Sequence, residues 1–223
     1  MVGRSSKSLR NPAKPKSSPA KRRTRAEKSE DTRQEIIAST ARLVGRFGYA
    51  ATNVKRIAAA AKIAQGTIYN YFPTRQDLFD ILLPTYAQEM LAYIANSTDP
   101  FATGIDREVE RMRAFLDFVR LNPWVVRLVN ESQALAPKAF RAYFSLVTQG
   151  YVRALQRSVA RNEILGYAPD ELEAIAIALL AARSYYAEKY VIQAGNTEPV
   201  PPGVYEAYRK FVERALFNGN AQK

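Results

Sequence analysis

From Ile36 to the neighbourhood of Phe217 the large apolar residues recur at spacings of three and four, and no useful stretch alternates polar with apolar between turn signals. A helix turns once every 3.6 residues, so this spacing gathers apolar side chains on one face, whereas a half-buried strand needs period two. The pattern predicts an all-α chain. Ile36, Ile37, Ala41, Val44 and Phe47 mark the first helix, with Asp31 and Thr32 as N-cap candidates and Gly48 as its stop. Thr52 is a candidate cap for a short helix over 53–61. A turn at 62–64 leads to a third helix over 65–71, which Pro73 ends. Thr74 caps a long fourth helix with Asp77 in its first turn, and Pro84 inside it predicts a kink or break near 81–83. Further helices are expected to about 121, over 124–133, from Pro137 to near 162, from Pro169 onward, and over 204–217.

The residue types exclude many activities. The chain has no Cys and no His. Thiol nucleophiles, disulfides, Cys/His zinc sites and Ser-His-Asp catalysis therefore cannot occur. An enzyme would need a carboxylate pair or Lys, and no close constellation of that kind stands out. No cofactor, no metal site and no catalytic residue is expected. The longest apolar run is 174–182, far short of the roughly 20 residues that span a bilayer. The basic start lacks the apolar stretch of a secretory signal. A cytoplasmic protein with no membrane partner is expected.

The net charge is +12. Residues 1–30 hold ten basic residues against Glu27 and Glu30, so most of the excess lies there. Ser, Pro and Lys dominate this segment, which is too polar to offset its ordering entropy. The expectation is a disordered basic tail, acting as a solubilising segment or as a nucleic-acid-contacting arm.

Two short helices joined by a tight turn and preceded by a longer one make a helix-turn-helix pattern. Residues 48–79 read GYAATNVKRIAAAAKIAQGTIYNYFPTRQDLF. Gly48 and Tyr49, the spacing of Thr52, Val54, Ile57 and Ala58, the run Gly66 to Phe72, and Thr74, Arg75, Leu78 and Phe79 together resemble the DNA-binding domain of the TetR family of bacterial transcriptional regulators. Two departures stand out. Lys62 occupies the turn position usually held by Gly, and Ala64 replaces the usual capping Ser or Thr at the start of the recognition helix. A helix entering the major groove needs small and polar groups at its exposed end. Gln65, Thr67 and Asn70 supply amides and a hydroxyl, and Ala64 a methyl. Tyr69 and Tyr71 carry hydroxyls for phosphates, although packing is an alternative for Tyr71. Thr52 and Arg75 begin helices, where backbone N–H groups favour a phosphate. Lys55 and Arg56 are phosphate contacts or solvated charges.

The resemblance implies a domain plan of residues 1–30 as tail, 31–78 as DNA-binding domain, 79–218 as effector-binding and dimerisation domain, and 219–223 as tail. It also implies that the last two helices pair across a two-fold axis, and Ala174, Ala176, Ala178, Ala181 and Ala182 would permit close approach. Phe115, Phe118, Trp124, Tyr143, Tyr151 and Tyr186 line an effector pocket or fill the core. Arg183 shares a face with Leu179 and Tyr186. A charge there must be paired, with Glu131 or Glu163 as candidates, or await an anionic effector. The stretch from Pro123 and Trp124 through Pro137 to Ile164 is similar to TetR-like regulators that sense acyl-CoA thioesters. The expected function is a sequence-specific DNA-binding transcriptional regulator. It would be a homodimeric repressor on a pseudo-palindromic double-stranded operator, released by a small apolar or amphipathic effector. The alternative is an architectural DNA binder of weak sequence preference, without an effector.

Overall fold

The computed structural model describes residues 24–195 and 198–217, and these contain nine α-helices and no strand. In chain order they are α1 (Arg25–Phe47), α2 (Val54–Ala61), α3 (Gln65–Tyr69), α4 (Arg75–Asn96), α5 (Gly104–Leu121), α6 (Trp124–Leu135), α7 (Pro137–Ala160), α8 (Leu172–Ala187) and α9 (Pro202–Val212). A π-helical turn extends α8 over Glu188–Ile192 and another extends α9 over Glu213–Phe217.

The first helix begins earlier than expected. Thr24 caps α1, accepting from the Glu27 N–H at 3.2 Å, while the Glu27 carboxylate accepts from the Thr24 N–H at 2.7 Å. This reciprocal pair satisfies two donors that a helix start leaves open. Residues 25–30 are thus helical, which corrects the expectation of disorder to residue 30 and of a cap at Asp31 or Thr32. Residues 1–23 lie outside the described residues.

Helix boundaries move for local reasons elsewhere. Asn53, not Thr52, caps α2, accepting from the Arg56 N–H at 2.9 Å. Helix α3 stops at Tyr69, two residues early. Helix α8 starts at Leu172 rather than at Pro169, the intervening turn being held by the Ala168 N–H donating to the Glu171 carboxylate at 2.7 Å. Pro84 does not break α4, which runs through it without interruption. Leu82, Leu83, Tyr86 and Ala87 around it are buried, and their packing outweighs the one lost backbone hydrogen bond.

Two apolar cores organise the chain. The first gathers Ile36, Val44, Ile57, Ile68, Phe72 and Leu78, then continues along α4 through Leu82 and Met90 to α6 and α7. The second gathers Met112, Leu116, Leu155, Leu179, Tyr208 and Val212 from α5, α7, α8 and α9. Helix α4 therefore serves two masters. Its first turns close the N-terminal three-helix unit, and its later turns pack against α7. The expected boundary at 78/79 falls inside this helix, between the buried Leu78 and Phe79.

Candidate functional site

The helix-turn-helix unit presents its short third helix outward. Ile68 and Phe72 are buried and anchor the segment, which leaves Ala64, Gln65, Tyr69 and Asn70 exposed and Thr67 and Tyr71 half-buried. Ala64 has extended cap geometry (φ −72°, ψ 148°) but makes no side-chain cap bond. Lys62 adopts the left-handed conformation usually given to Gly (φ 57°, ψ 41°). Its N–H still closes α2 by bonding back to the carbonyls of Ala58 and Ala59. The left-handed conformation costs a non-Gly residue about 1 kcal/mol, and in return the ammonium-bearing side chain stands exposed beside the recognition helix.

Other sequence-selected residues separate into available and committed groups. Lys55 and Arg56 are exposed. Arg56 donates to the Ala51 carbonyl at 3.0 Å and lies over the Phe47 ring at 5.2 Å. Tyr71 accepts from the Ser29 hydroxyl at 3.3 Å, which ties α1 to the segment after α3. Thr52 is completely buried, with its hydroxyl donating to the Gly48 carbonyl at 2.8 Å. Its side chain therefore faces the core rather than a phosphate. Arg75 turns inward, donating to the Tyr49 carbonyl and lying 4.6 Å from the Phe79 ring centroid. Both residues hold the loop between α1 and α2 in place.

Behind this surface α1 and α6 meet without a gap. A Cβ at Gly45 would lie 2.3 Å from the Trp124 Cβ, so only Gly allows this approach. Arg127 donates to the Arg46 carbonyl at 2.9 Å and pairs with Glu131 at 2.6 Å, while Glu131 accepts the Tyr49 N–H at 2.8 Å. Trp124 meets the Tyr86 ring edge-on at 4.4 Å, and burial, with the nearby Glu89, pushes the Tyr86 phenol up to about 12. Trp124 is thus a packing residue between helices and is not among the residues that line the cavity between α4, α5, α7 and α8.

A cavity of about 790 Å³ lies between α4, α5, α7 and α8, with α6 contributing Val129. Of the expected pocket residues, Phe115, Tyr143, Tyr151 and Arg183 line it. Phe118 packs on Tyr93 at 5.6 Å and Tyr186 stacks on Tyr190 at 5.8 Å, so both belong to the cores. Burial raises the Tyr143 phenol to about 12, so it stays a neutral donor. The remaining walls are mostly apolar, among them Met90, Leu91, Ile94, Phe140, Phe144 and Leu180.

Arg183 is paired, but with neither Glu131 nor Glu163. Its Nη2 lies 2.6 Å from the Glu108 Oε1, and both side chains are buried. The Tyr208 hydroxyl donates to the same oxygen at 2.7 Å, and the Tyr151 hydroxyl donates to it as well. Burial works against the guanidinium charge, yet the Glu108 carboxylate outweighs it and holds Arg183 ionised. Glu163 instead pairs with Arg107, whose Nη2 also reaches the Ser158 hydroxyl at 3.0 Å. Among the described residues no group of three or more carboxylates converges in the manner of a metal site, and no helix is long and apolar enough to cross a membrane.

Residues 36–82 match the family model for bacterial regulatory proteins of the tetR family. The transcriptional regulator YhgD of Bacillus subtilis is 23% identical, over 65% of this chain and 69% of that protein. EthR of Mycolicibacterium smegmatis, also an HTH-type transcriptional regulator, is 23% identical over 72% of this chain and 74% of its own. Among solved structures, Salmonella enterica GusR superposes with a TM-score of 0.69 at 17% identity, covering 83% of this chain and 95% of that one. The likeness extends through the C-terminal helices, so the described helices share that fold.

Proposed function

We propose that this chain, whose N-terminal unit is the helix-turn-helix domain of the TetR family, is a sequence-specific transcriptional regulator that works as a homodimeric, effector-released repressor in the cytoplasm. The observation that carries this reading is the pairing of an exposed recognition surface with an apolar cavity, the two linked by α4 and α6. Gln65 and Asn70 offer amides suited to adenine edges, the methyl of Ala64 suits thymine, and Thr67 and Tyr69 add hydroxyls. Lys55, Arg56 and Lys62 supply the neighbouring positive charge for phosphates.

Dimerisation is supported by what α8 and α9 leave uncovered. Tyr185 is 82% exposed and Phe211 56%. Ala174 and Ala178 on α8 and Ala207 on α9 are exposed beside them, while Ala176 is used inside the subunit. A two-fold pairing there would give the dimer two recognition helices, and reading two half-sites one turn of DNA apart requires them about 34–36 Å apart.

The switch runs through α4 and α6. Each puts residues in the cavity wall (Met90 and Leu91, and Val129), and each is fixed to the DNA-binding unit, through Leu78 and Phe79 or through Trp124, Arg127 and Glu131. An effector that favours a different spacing of these helices lowers operator affinity by the same factor that DNA lowers effector affinity. Footprinting on genomic fragments tests the reading. A discrete pseudo-palindrome supports it, whereas coverage without sequence preference and with steep salt dependence favours an architectural binder.

A further inference from the structure

The cavity has two unlike ends, and α7 runs between them. Its N-terminal half brings Phe140, Tyr143 and Phe144 to the wall, its C-terminal half brings Arg153 and Arg157, and Arg161 follows directly after its last residue. From Phe140 to Arg157 is 17 residues of helix, or about 25 Å. Arg107 and Arg111 of α5 join the basic end.

These arginines are not equivalent. Arg107 and Arg183 are buried and held by Glu163 and Glu108. Arg111 lines the cavity half-buried, and among the described residues no carboxylate lies within ion-pair distance of it. Burial disfavours its charge, and although Glu108 partly offsets this, Arg107 and Arg183 add repulsion. Arg153, Arg157 and Arg161 are exposed and likewise lack a carboxylate partner among the described residues. Two further groups are short of partners. The Thr148 hydroxyl is buried on the cavity wall without a hydrogen bond, as is the Arg183 Nε. A desolvated cation without a counter-ion is costly, and a ligand anion removes that cost.

We propose that the cavity takes an amphipathic anion, a carboxylate or phosphate head on a hydrocarbon body. The head sits against Arg111, with Arg153 and Arg157 completing its electrostatic surround. The body lies along Phe115, Leu180, Tyr143 and Phe140. The planar fork of Arg111 suits two oxygens of either head group. A cationic ligand would meet four unpaired guanidinium groups, and a neutral one would leave Arg111 as uncompensated as before.

This rests on the reading of the cavity as an effector site, so binding and release are measured separately. Dodecanoate, dodecyl phosphate, dodecanol and dodecylamine, each below its micelle concentration, are titrated by calorimetry into the full chain and into Arg111→Met. At least one anion should bind wild type ten-fold or more tighter than the alcohol, with the amine weakest. The carboxylate and phosphate arms identify the head group. In Arg111→Met the preference for the anion over the alcohol should collapse, while the ligand-free variant melts no lower than wild type because it loses a half-buried charge that has no counter-ion. The double variant Arg153→Ser/Arg157→Ser, altered only at exposed positions, should weaken the anion and leave the alcohol unchanged. Equal binding of alcohol and anion, tighter binding of the amine, no binding by any of the four, or an undiminished anion preference in both variants overturns the proposal. Operator affinity is then followed by fluorescence anisotropy with the bound anion. Anion binding that leaves the operator complex intact would remove the effector reading and leave the anion site standing.

Discussion

The carboxylate of Glu131 accepts a 2.8 Å hydrogen bond from the backbone N–H of Tyr49, across a sequence separation of 82 residues. Tyr49 sits in the loop after α1 and Glu131 on α6, so this bond joins the DNA-binding unit to the helix that reaches the cavity. Burial tends to raise the Glu131 carboxyl, but Arg127 and the Tyr49 amide outweigh it and the net displacement is downward. A depressed carboxylate contributes stability above its unfolded value, near 4.3, and loses it as pH falls through the folded value. Glu131→Gln should therefore cost about 1–3 kcal/mol at pH 7. It should also flatten the stability profile between about pH 5 and pH 3, read by urea unfolding at both ends. A variant profile parallel to wild type would separate this pair from acid sensitivity.

Gly45 tests the same junction sterically. Its absent side chain is what lets Trp124 approach α1, and an added methyl would meet the Trp124 Cβ at 2.3 Å. The Trp124 Cβ is fixed to its own backbone, so α1 and α6 must move apart. Gly45→Ala gains helix propensity of about 1 kcal/mol but introduces overpacking of about 1–3 kcal/mol. The expected result is a small net loss of stability with a larger change in effector-induced DNA release, measured by thermal melting beside operator binding with and without ligand.

The recognition helix carries separable roles for stability and for reading. Ala64 already has the backbone of an N-cap, so Ala64→Ser should raise stability by about 0.5–2 kcal/mol. Gln65→Ala or Asn70→Ala should each relax preference at one base pair by about 1–3 kcal/mol and leave the melting temperature nearly unchanged, since both side chains are exposed. Binding to a set of single-base operator variants distinguishes these outcomes from a uniform loss of affinity.

Residues 1–23 contain eight basic and no acidic residues. Each phosphate neutralised adds about 0.9 to the slope of log affinity against log salt. Removing these 23 residues spares Thr24, and with it the cap of α1. The shortened chain should bind all DNA sequences more weakly and with a flatter salt slope. An identical slope in the two chains would mean that this segment touches no phosphate.

The helix-turn-helix unit was readable because its determinants are local. Apolar spacing buried Ile57 and Ile68, and Thr74 with Asp77 forms the expected cap. Thr24 carried the same signal, a Thr followed three residues on by Glu, but it stood among basic residues that pointed to disorder. Phe115 and Phe118 share a face of α5, and only the placement of neighbouring helices turns the first into the cavity and the second into the core. The partner of Arg183 lies 75 residues away on another helix, and no local pattern selects Glu108 over Glu131 or Glu163. Arg111 carries no such signal, because a lone Arg on an amphipathic helix ordinarily reads as solvated surface.

The Glu108 and Arg183 pair allows the strongest stability prediction. Both side chains are only 4% exposed, and one carboxylate oxygen receives Arg183, Tyr151 and Tyr208 together. Removing one charge strands the other away from water. Glu108→Gln or Arg183→Met should therefore each cost about 3–5 kcal/mol. Removing both charges should cost much less than the sum, because desolvation of the pair opposes its own attraction. Glu108→Leu/Arg183→Met still orphans the Tyr151 and Tyr208 hydroxyls, at about 1–3 kcal/mol each. Replacing those tyrosines with Phe in the double variant should restore most of that loss. Denaturant unfolding of the single, double and quadruple variants gives the coupling directly. Additive losses would mean that the four groups act independently rather than as one buried network.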